Sequence, residues 1–337
     1  MVLMACLNRR NIRITIFLLS VSVLLLFCGC QKNPSQMSIS DVGFYFDTVV
    51  EIKLNGTEDE SILKECFDLM AEYESLLSRT REGSDVWKIN HSSGAPVTVS
   101  EDTAALIRLA RKYYDLSDGA FDITIAPYVT LWDFQNNPGT IPTKDELTAA
   151  SKHVGFENVQ VSGNTVTLAD SETQIDLGGI AKGFIADRLK EFLIKKGIES
   201  AWINLGGNVL TIGTKPDNSL WKIGIRKPFG ASDETAAVIS VSGKSIVTSG
   251  TYERYFEKDG TIYHHILEPM TGQPVQNHLY SVTILSDSSA DGDALSTTCF
   301  VLGKEDGIEL VESLDGIEAL FITDEQELIY SSGFPHQ

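Results

Sequence analysis

Apolar and polar residues follow two spacings along this chain, and each spacing predicts a different kind of element. Where apolar residues recur every three or four positions, we expect helices with one buried face. These helices are predicted over Ser61–Leu77, from an N-cap at Ser100 to about Leu116, from Phe184 to a C-cap at Gly197, and over Ala294–Leu302.

Other stretches alternate apolar and polar residues or form short apolar runs, which predicts strands. The predicted strands are Phe44–Leu54, Val159–Val161, Thr165–Leu168, Thr173–Leu177, Ala201–Leu205, Val209–Ile212, Lys222–Arg226, Ala237–Val241, Ser245–Thr248, Tyr252–Lys258, Thr261–Leu267 and Val282–Leu285. Ser162-Gly163-Asn164 and Asp259-Gly260 are typical of hairpin turns. Strands and helices do not alternate regularly, so we predict an α+β fold, with mixed helices and antiparallel sheet in one large domain or two closely packed lobes.

The N-terminus has the layout of an export signal. Three arginines precede the apolar stretch Ile14–Phe27, which is too short to span a membrane as a helix. Gly29 stands directly before Cys30, as a lipoprotein signal peptidase requires, so we expect Cys30 to become an acylated N-terminus. An ordinary signal peptide or a short uncleaved anchor is the alternative.

The expected organisation follows from this signal. Residues 1–29 are predicted to be a lipoprotein signal peptide, residues 30–40 a polar lipid-anchored tether, and residues 41–337 the folded domain. The protein would then be held at the cell membrane, on the extracytoplasmic face, through the lipid on Cys30.

Composition narrows the class of partner. The chain has a net charge of −19, and removal of residues 1–29 takes away three arginines and no acid, which gives −19 − 3 = −22. So acidic a protein is not expected to bind nucleic acid, because Lys and Arg contacts to phosphate supply much of that affinity. Cys66 and Cys299 lie on apolar stripes of predicted helices, so we expect two buried thiols and no disulfide.

A glycine-rich segment, Asp176–Gly183, lies between a predicted strand and a predicted helix. Glycines allow a close approach of the backbone to a ligand, and the N-terminus of the following helix suits phosphate. Lys182 adds a positive charge at the same end. The spacing is neither that of a Walker loop nor GxGxxG, so a purely structural turn is the alternative.

The segment Ala290–Thr297 is acidic and lies at the predicted start of the last helix. A carboxylate and a hydroxyl four residues apart share one helix face, and hard oxygen ligands suit Mg²⁺ or Ca²⁺. Because the spacing is not that of an EF-hand, Mg²⁺ shared with substrate phosphates fits better. An N-capping aspartate followed by ordinary first-turn acids is the structural alternative.

His264 and His265 end a predicted hairpin strand, where a histidine can act as a general base for a hydroxyl or can be purely structural. Asp118–Thr124 and Leu131–Phe134 add a turn glycine, acids and aromatic rings that suit a flat ligand.

The order of these segments resembles the FAD:protein FMN transferase family, known as ApbE. The resemblance runs from Phe46-Asp47-Thr48 to Val301-Leu302-Gly303, nearly the whole predicted domain. The matching blocks are Asp118–Thr124, Leu131–Phe134, Asp176–Gly183, Asn204–Asn208, Thr248–Gly250, His265–Gly272 and Asp293–Gly303.

The resemblance implies that the protein moves FMN from FAD to a Ser or Thr hydroxyl of an exported acceptor protein, as a phosphoester, with release of AMP and with help from Mg²⁺. It implies a metal held by Asp293 and Thr297, with the Gly179 carbonyl and Ser296 completing the site. It implies FAD contacts, several of them through backbone atoms, at Phe46, Thr80, Ala120, Phe121, Asp122, Asp176, Lys182 and Leu267.

His265 is the candidate base for the acceptor hydroxyl, and Lys182 is the candidate cation for the reacting phosphate. On this interpretation, Asp293→Ala is expected to abolish Mg²⁺-dependent AMP release and to leave the fold intact. The acceptor is expected to be an FMN-binding protein of a membrane or extracellular electron-transfer system.

Two positions depart from the family pattern, and three other functions stay open. Ser78-Arg79-Thr80 stands where many members have Ser-Thr followed by an aromatic residue, which puts a stacking contact there in question. Glu268 replaces a commoner Asp. The alternatives are a FAD pyrophosphatase, a flavin-binding lipoprotein without chemistry, and an electron carrier with FMN esterified to Thr297.

Overall fold

The computed structural model describes residues 37–136, 139–231 and 233–335. The predicted signal peptide and Cys30 lie outside these residues. Within them, no helix is both long enough and apolar enough to cross a bilayer.

The centre of the fold is an eight-stranded sheet in which every neighbouring pair is antiparallel. Its order is β1-β2-β6-β7-β10-β13-β14-β15. The strands are β1 (Ser38–Tyr45), β2 (Thr48–Asn55), β6 (Ser200–Leu205), β7 (Asn208–Ile212), β10 (Ser245–Gly250), β13 (Leu279–Ser286), β14 (Glu318–Thr323) and β15 (Leu328–Tyr330). The fold is therefore α+β, as predicted.

Three smaller sheets surround the central one: β3 (Val97–Thr98), β5 (Thr165–Leu168) and β4 (Val159–Ser162) form one, and two hairpins form the others. The hairpins are β8 (Trp221–Arg226) with β9 (Thr235–Val241) and β11 (Tyr255–Lys258) with β12 (Thr261–His264). The helices are α1 (Glu60–Leu77), α2 (Asp85–Asn90), α3 (Glu101–Leu116), α4 (Ala126–Trp132), α5 (Lys144–Ala150), α6 (Ala181–Lys195), α7 (Ser289–Leu302) and α8 (Lys304–Glu312).

The two faces of the central sheet are covered by different elements. Successive residues of a strand point to opposite faces, so Val247 contacts α7 at Gly292, whereas Ile246 packs against the β8–β9 hairpin. The main hydrophobic cluster, on the helical face, extends from Val50 to Phe321 and includes the thiols of Cys66 and Cys299. Both cysteines are buried and free, which confirms the prediction.

Helices α6 and α7 pack backbone to backbone. A Cβ atom at Gly183 would lie against the Ser289 carbonyl oxygen, far inside van der Waals contact. Each helix also caps the other with a carboxylate. Asp293 on α7 accepts the Gly183 N–H at 2.9 Å, near the start of α6. Asp187 on α6 accepts the N–H groups of Ser289 and Ala290 at 2.8 and 3.0 Å, at the start of α7.

Several predicted boundaries were wrong. Phe44–Leu54 is not one strand, because a turn at Phe46 and Asp47, both with positive φ, divides it into β1 and β2. β1 begins at Ser38, so the folded domain starts earlier than the predicted end of the tether at residue 40. Helix α7 begins at Ser289 and not at Ala294, so the acidic segment is helix and not turn.

The predicted strand Thr173–Leu177 was wrong: the segment has no regular secondary structure and belongs to none of the described sheets. Its centre pairs with a side chain instead. Asn90 donates to the Ile175 carbonyl at 2.9 Å and accepts the Ile175 N–H at 2.8 Å. One asparagine thus takes the place of a neighbouring strand and anchors the segment that leads into the glycine-rich loop. The hairpin β11–β12 is also shorter than predicted, beginning at Tyr255 and ending at His264.

Gly183→Ala is expected to lower the free energy of unfolding by about 3 kcal/mol or more, because the new methyl group must push α6 away from rigid backbone of α7. Gly163→Ala is the matched control: Gly163 has a positive φ of 57° and open space around it, so only the backbone strain of about 1 kcal/mol applies. Urea unfolding of both variants tests this. Equal losses would contradict the close helix contact.

Candidate active site at the α6 and α7 helix starts

The glycine-rich loop is set by Asp176. Its Oδ1 accepts the Gly178 N–H at 2.7 Å, which forms the turn into the loop. Its own N–H donates to the Ile123 carbonyl at 2.7 Å, which ties the loop to the segment after Asp122. Its Oδ2 forms an ion pair with Arg79 Nε at 3.1 Å. Asp176 therefore joins three parts of the chain that lie far apart in sequence.

Gly179 lies at the meeting point of this loop with Phe121 and α7. A Cβ atom there would be 3.3 Å from the Phe121 ring and 3.8 Å from Thr297 Oγ1. The structure thus brings together three residues that the sequence interpretation assigned to the ligand site. Any side chain at residue 179 would occupy the space between the loop and Thr297.

Asp293 connects α7 to the start of α6, where the glycine-rich loop ends. Its Oδ2 accepts the Gly183 N–H, and its Oδ1 lies 3.5 Å from Lys182 Nζ. Lys182 is partly accessible, whereas the Asp293 side chain is 5% exposed. Since α6 has no side-chain N-cap of its own, Asp293 supplies this cap from another helix. Asp293→Ala would therefore remove a buried acceptor as well as a candidate metal ligand, and it is not expected to leave the fold untouched.

The hydroxyl groups of Ser249, Ser296 and Thr297 form a cluster next to Asp293. Ser249 Oγ lies 2.8 Å from Ser296 Oγ and 3.2 Å from Thr297 Oγ1. Ser296 also donates to the Asp293 carbonyl at 3.0 Å. Asp291 faces elsewhere and accepts a hydrogen bond from the Tyr113 hydroxyl. The acidic segment therefore contributes Asp293, and not Asp291, to this cluster.

The oxygen atoms of this cluster are ligands that suit a small hard cation. No group of three His, Cys, Asp or Glu side chains suited to a metal occurs among the described residues. A metal here would be held by one carboxylate and several neutral oxygens, which matches Mg²⁺ that keeps part of its shell for substrate phosphates. The residues that could hold it are those that the resemblance implies, namely Asp293, Thr297, Ser296 and the Gly179 carbonyl.

His264 and His265 have different surroundings. His264 Nε2 donates to the Val275 carbonyl at 2.8 Å, and Nδ1 accepts the Ile266 N–H at 3.3 Å. Burial lowers the pKa of His264 to about 4. Both ring nitrogens are used within the fold, so His264 is structural.

His265 is half-buried as a residue, and its buried Nδ1 has no hydrogen-bond partner in the described structure. Burial lowers the pKa of His265 to about 3, and the charges of neighbouring groups, including Arg254 and Lys182, act in the same direction. The ring is therefore neutral at physiological pH and able to accept a proton. Protonation becomes favourable only beside an anionic group.

In the segment Ala120–Asp122, the side chains of Phe121 and Asp122 are buried in the fold. Phe121 is buried, and its ring meets Tyr113 edge to face. Asp122 Oδ1 accepts the N–H and the hydroxyl of Thr124, both at 2.7 Å. Burial raises the pKa of Asp122 to about 6. A ligand would meet this segment mainly through its backbone.

Leu267 is buried in a cluster with Tyr128, Trp132 and Phe256, so any contact it makes to a ligand is also expected through the backbone. Phe46 is half-buried at the β1–β2 turn, where its N–H donates to Glu74 at 2.8 Å. Over the described residues, no hydrogen bond or ion pair joins Phe46 or Leu267 to the loop or to α7. Thr80 is exposed and lines a cavity of about 310 Å³ together with Arg79, Trp87 and Gln174.

Sequence reasoning missed three residues that build this site. Asn90 holds the segment before the loop, Asp187 caps α7, and Ser249 bridges the two hydroxyls of α7. Arg79 was noticed only as a departure from a pattern. Ser249 lies in the matching block Thr248–Gly250, but the local sequence does not indicate the partner of any of the four, because each acts on a residue far away in the chain.

Comparison with known proteins places this geometry in a family. The model of the ApbE family matches residues 46–321. A Klebsiella pneumoniae protein named FAD:protein FMN transferase is 40% identical over 279 residues, which cover 82% of this chain and 86% of that protein. A Treponema pallidum protein of the same name is 37% identical over 91% of this chain and 90% of its own length.

Solved structures of ApbE proteins have the same fold as this chain. The ApbE protein of Thermotoga maritima superimposes with a TM-score of 0.81 at 33% identity, covering 88% of this chain and 97% of that chain. The flavin transferase ApbE of Vibrio cholerae gives a TM-score of 0.80 at 30% identity, with 88% and 98% covered.

Acidification is expected to destabilise the fold through His264. The folded protein keeps this ring neutral down to a pKa of about 4, whereas the unfolded chain takes up a proton near the ordinary value of 6.5. Since the unfolded state binds more protons between these values, the contribution of His264 to stability is complete above pH 6.5. It is lost as the pH falls toward 4, by at most about 1.4 kcal/mol per pH unit.

Urea unfolding of the wild type and of His264→Gln at intervals across this range checks the expectation. The stability difference between the two proteins should shrink as the pH falls. His278→Gln serves as the control, because His278 is 88% exposed and pairs only at the surface with Asp324. Parallel curves for the wild type and His264→Gln would contradict the assignment.

Proposed function

The chain belongs to the ApbE family, and we propose that it is an FAD:protein FMN transferase that uses Mg²⁺ to move FMN from FAD to a Ser or Thr hydroxyl of an exported acceptor protein. The observation that carries the proposal is the junction of the glycine-rich loop with α7. Gly179 faces Thr297 there, and the Asp293 carboxylate contacts both the Lys182 ammonium group and the Gly183 N–H in the first turn of α6.

The reaction fits these groups. The acceptor oxygen forms a bond to the phosphorus of the FMN half, the diphosphate bond to AMP breaks, and the hydroxyl proton goes to a base. Lys182 and the N-terminus of α6 would stabilise the negative charge that grows on the phosphate oxygens. Bound magnesium would be held by Asp293, Thr297, Ser296 and the Gly179 carbonyl, and would add positive charge at the same place.

His265 is the proposed base. A neutral ring can accept the hydroxyl proton, and an Nδ1 without a hydrogen-bond partner among the described residues supports this role. Its low pKa makes it a weak base by itself. The anionic substrate would counter this effect, because a neighbouring negative charge raises the pKa of histidine.

The location of the reaction is part of the proposal. The arginine-rich start, the apolar stretch and the Gly29-Cys30 pair support a lipid anchor on the extracytoplasmic face of the membrane. The acceptor would then be an exported FMN-binding protein of an electron-transfer system.

The purified protein is incubated with FAD, Mg²⁺ and an exported FMN-binding domain as acceptor. It is expected to release AMP and to attach FMN covalently to that domain, which then becomes fluorescent. AMP and protein-bound flavin should appear in equal amounts. Equal AMP release with and without the acceptor, and no labelled protein, would instead identify a FAD pyrophosphatase. FAD binding without AMP release would identify a binding protein, and FMN found on this chain by intact mass would identify a flavin carrier.

Asp293→Asn is expected to reduce Mg²⁺-dependent AMP release by roughly 100-fold or more, the scale on which one electrostatic contact acts in an active site. The amide oxygen can still accept the Gly183 N–H, so the melting temperature should change little. Asp291→Asn, on the same helix, is the matched control and should keep wild-type activity. Full activity of the Asp293 variant would remove the metal assignment.

A further inference from the structure

We propose that Arg79 is a positioning residue that neutralises Asp176 beside the diphosphate of FAD. The inference rests on the proposed function, and it concerns a residue that the sequence interpretation assigned no role. It follows from the contacts of both carboxylate oxygens of Asp176 and from the balance of charge around the glycine-rich loop.

The ion pair of Arg79 with Asp176 is sheltered. Nε and Oδ2 are 3.1 Å apart, and the two side chains are 28% and 22% exposed. Arg79 Nη1 also donates to Thr130 Oγ1 on α4 at 3.1 Å. Arg79 follows α1, so its guanidinium group connects the end of that helix, α4 and the loop through donors in a fixed planar arrangement.

Hydrogen bonds fix the side chain and the backbone of Asp176, so its carboxylate cannot move away from a substrate in the loop. Its Oδ1 is held by the Gly178 N–H, and its backbone N–H is held by the Ile123 carbonyl. The carboxylate therefore stays at the entrance of the loop. Its negative charge would face the diphosphate of FAD if nothing compensated it.

The formal charges at the loop balance only with Arg79. Asp176 and Asp293 contribute two negative charges, and Lys182 and Arg79 contribute two positive charges. Without Arg79, these side chains have a net charge of −1. A bound Mg²⁺ would then meet the diphosphate with one positive charge fewer beside it, and the carboxylate of Asp176 would repel the anionic substrate locally.

The test is a double-mutant cycle with Arg79→Gln, Asp176→Asn and the double variant, with FAD and Mg²⁺. KM for FAD and kcat for AMP release are measured, and FAD affinity is followed separately by flavin fluorescence. Arg79→Gln is expected to raise KM by roughly tenfold, with a much smaller change in kcat, because an uncompensated carboxylate then faces the substrate. The double variant is expected to have a clearly lower KM than Arg79→Gln, since Asn still accepts the Gly178 N–H but carries no charge.

Salt and a control variant separate this role from a structural one. The increase in KM for Arg79→Gln should shrink at high ionic strength, because screening weakens repulsion between accessible charges. Arg108→Gln removes the same charge from an exposed pair with Glu101 and should leave KM unchanged. Arg79→Lys should restore part of the affinity by its charge alone.

Two results would overturn the inference. If the double variant binds FAD no better than Arg79→Gln, the arginine contacts the substrate itself or serves the fold alone. An unchanged KM for Arg79→Gln would show that the charge of Asp176 needs no compensation. If the wild type neither binds nor cleaves FAD, the proposed function fails and this inference falls with it. If the wild type binds and cleaves FAD but one of the two variant results is found, the inference about Arg79 fails and the proposed function stands.

Discussion

The contact between α6 and α7 at Gly183 and Ser289 is the constraint on which the rest of this structure depends. Two helix starts can approach this closely only if one residue lacks a side chain and if the unpaired N–H groups of both ends find acceptors. Asp187 and Asp293 provide these acceptors reciprocally, each from the opposite helix. The same contact brings the glycine-rich loop, which leads into α6, against the hydroxyl groups of α7.

In this arrangement, residues that stabilise the fold also contribute charge to the candidate active site. Asp293 caps α6 with its carboxylate, and its carbonyl accepts the hydroxyl of Ser296, which belongs to the cluster with Ser249 and Thr297. Asp176 shapes the loop entrance and holds a negative charge there. Stability and activity are therefore coupled in this site, and only substitutions that keep an acceptor but remove a charge can separate the two.

Neighbouring residues of identical type have different roles here, and their partners decide which. His264 has both ring nitrogens satisfied by backbone groups, whereas the next residue, His265, has a buried nitrogen that meets no partner in the described part of the chain. Asp291 and Asp293 lie on one helix, but only Asp293 faces the loop. A base or a metal ligand can be chosen among such neighbours only once their partners are known.

The sequence alone determined the elements whose signals are local: the N-cap at Ser100, the C-terminal turn at Gly197, the hairpin at Gly163 and the apolar stripes that bury Cys66 and Cys299. Periodicity and turn chemistry act over a few residues, and the order of the blocks along the chain was enough to recognise the family. Tertiary structure alone decided that Thr173–Leu177 pairs with the Asn90 side chain, that α7 begins at Ser289, and that Arg79 meets Asp176. These outcomes depend on groups far apart in sequence, and a backbone group or a charge accepts whichever partner the packed core brings within reach.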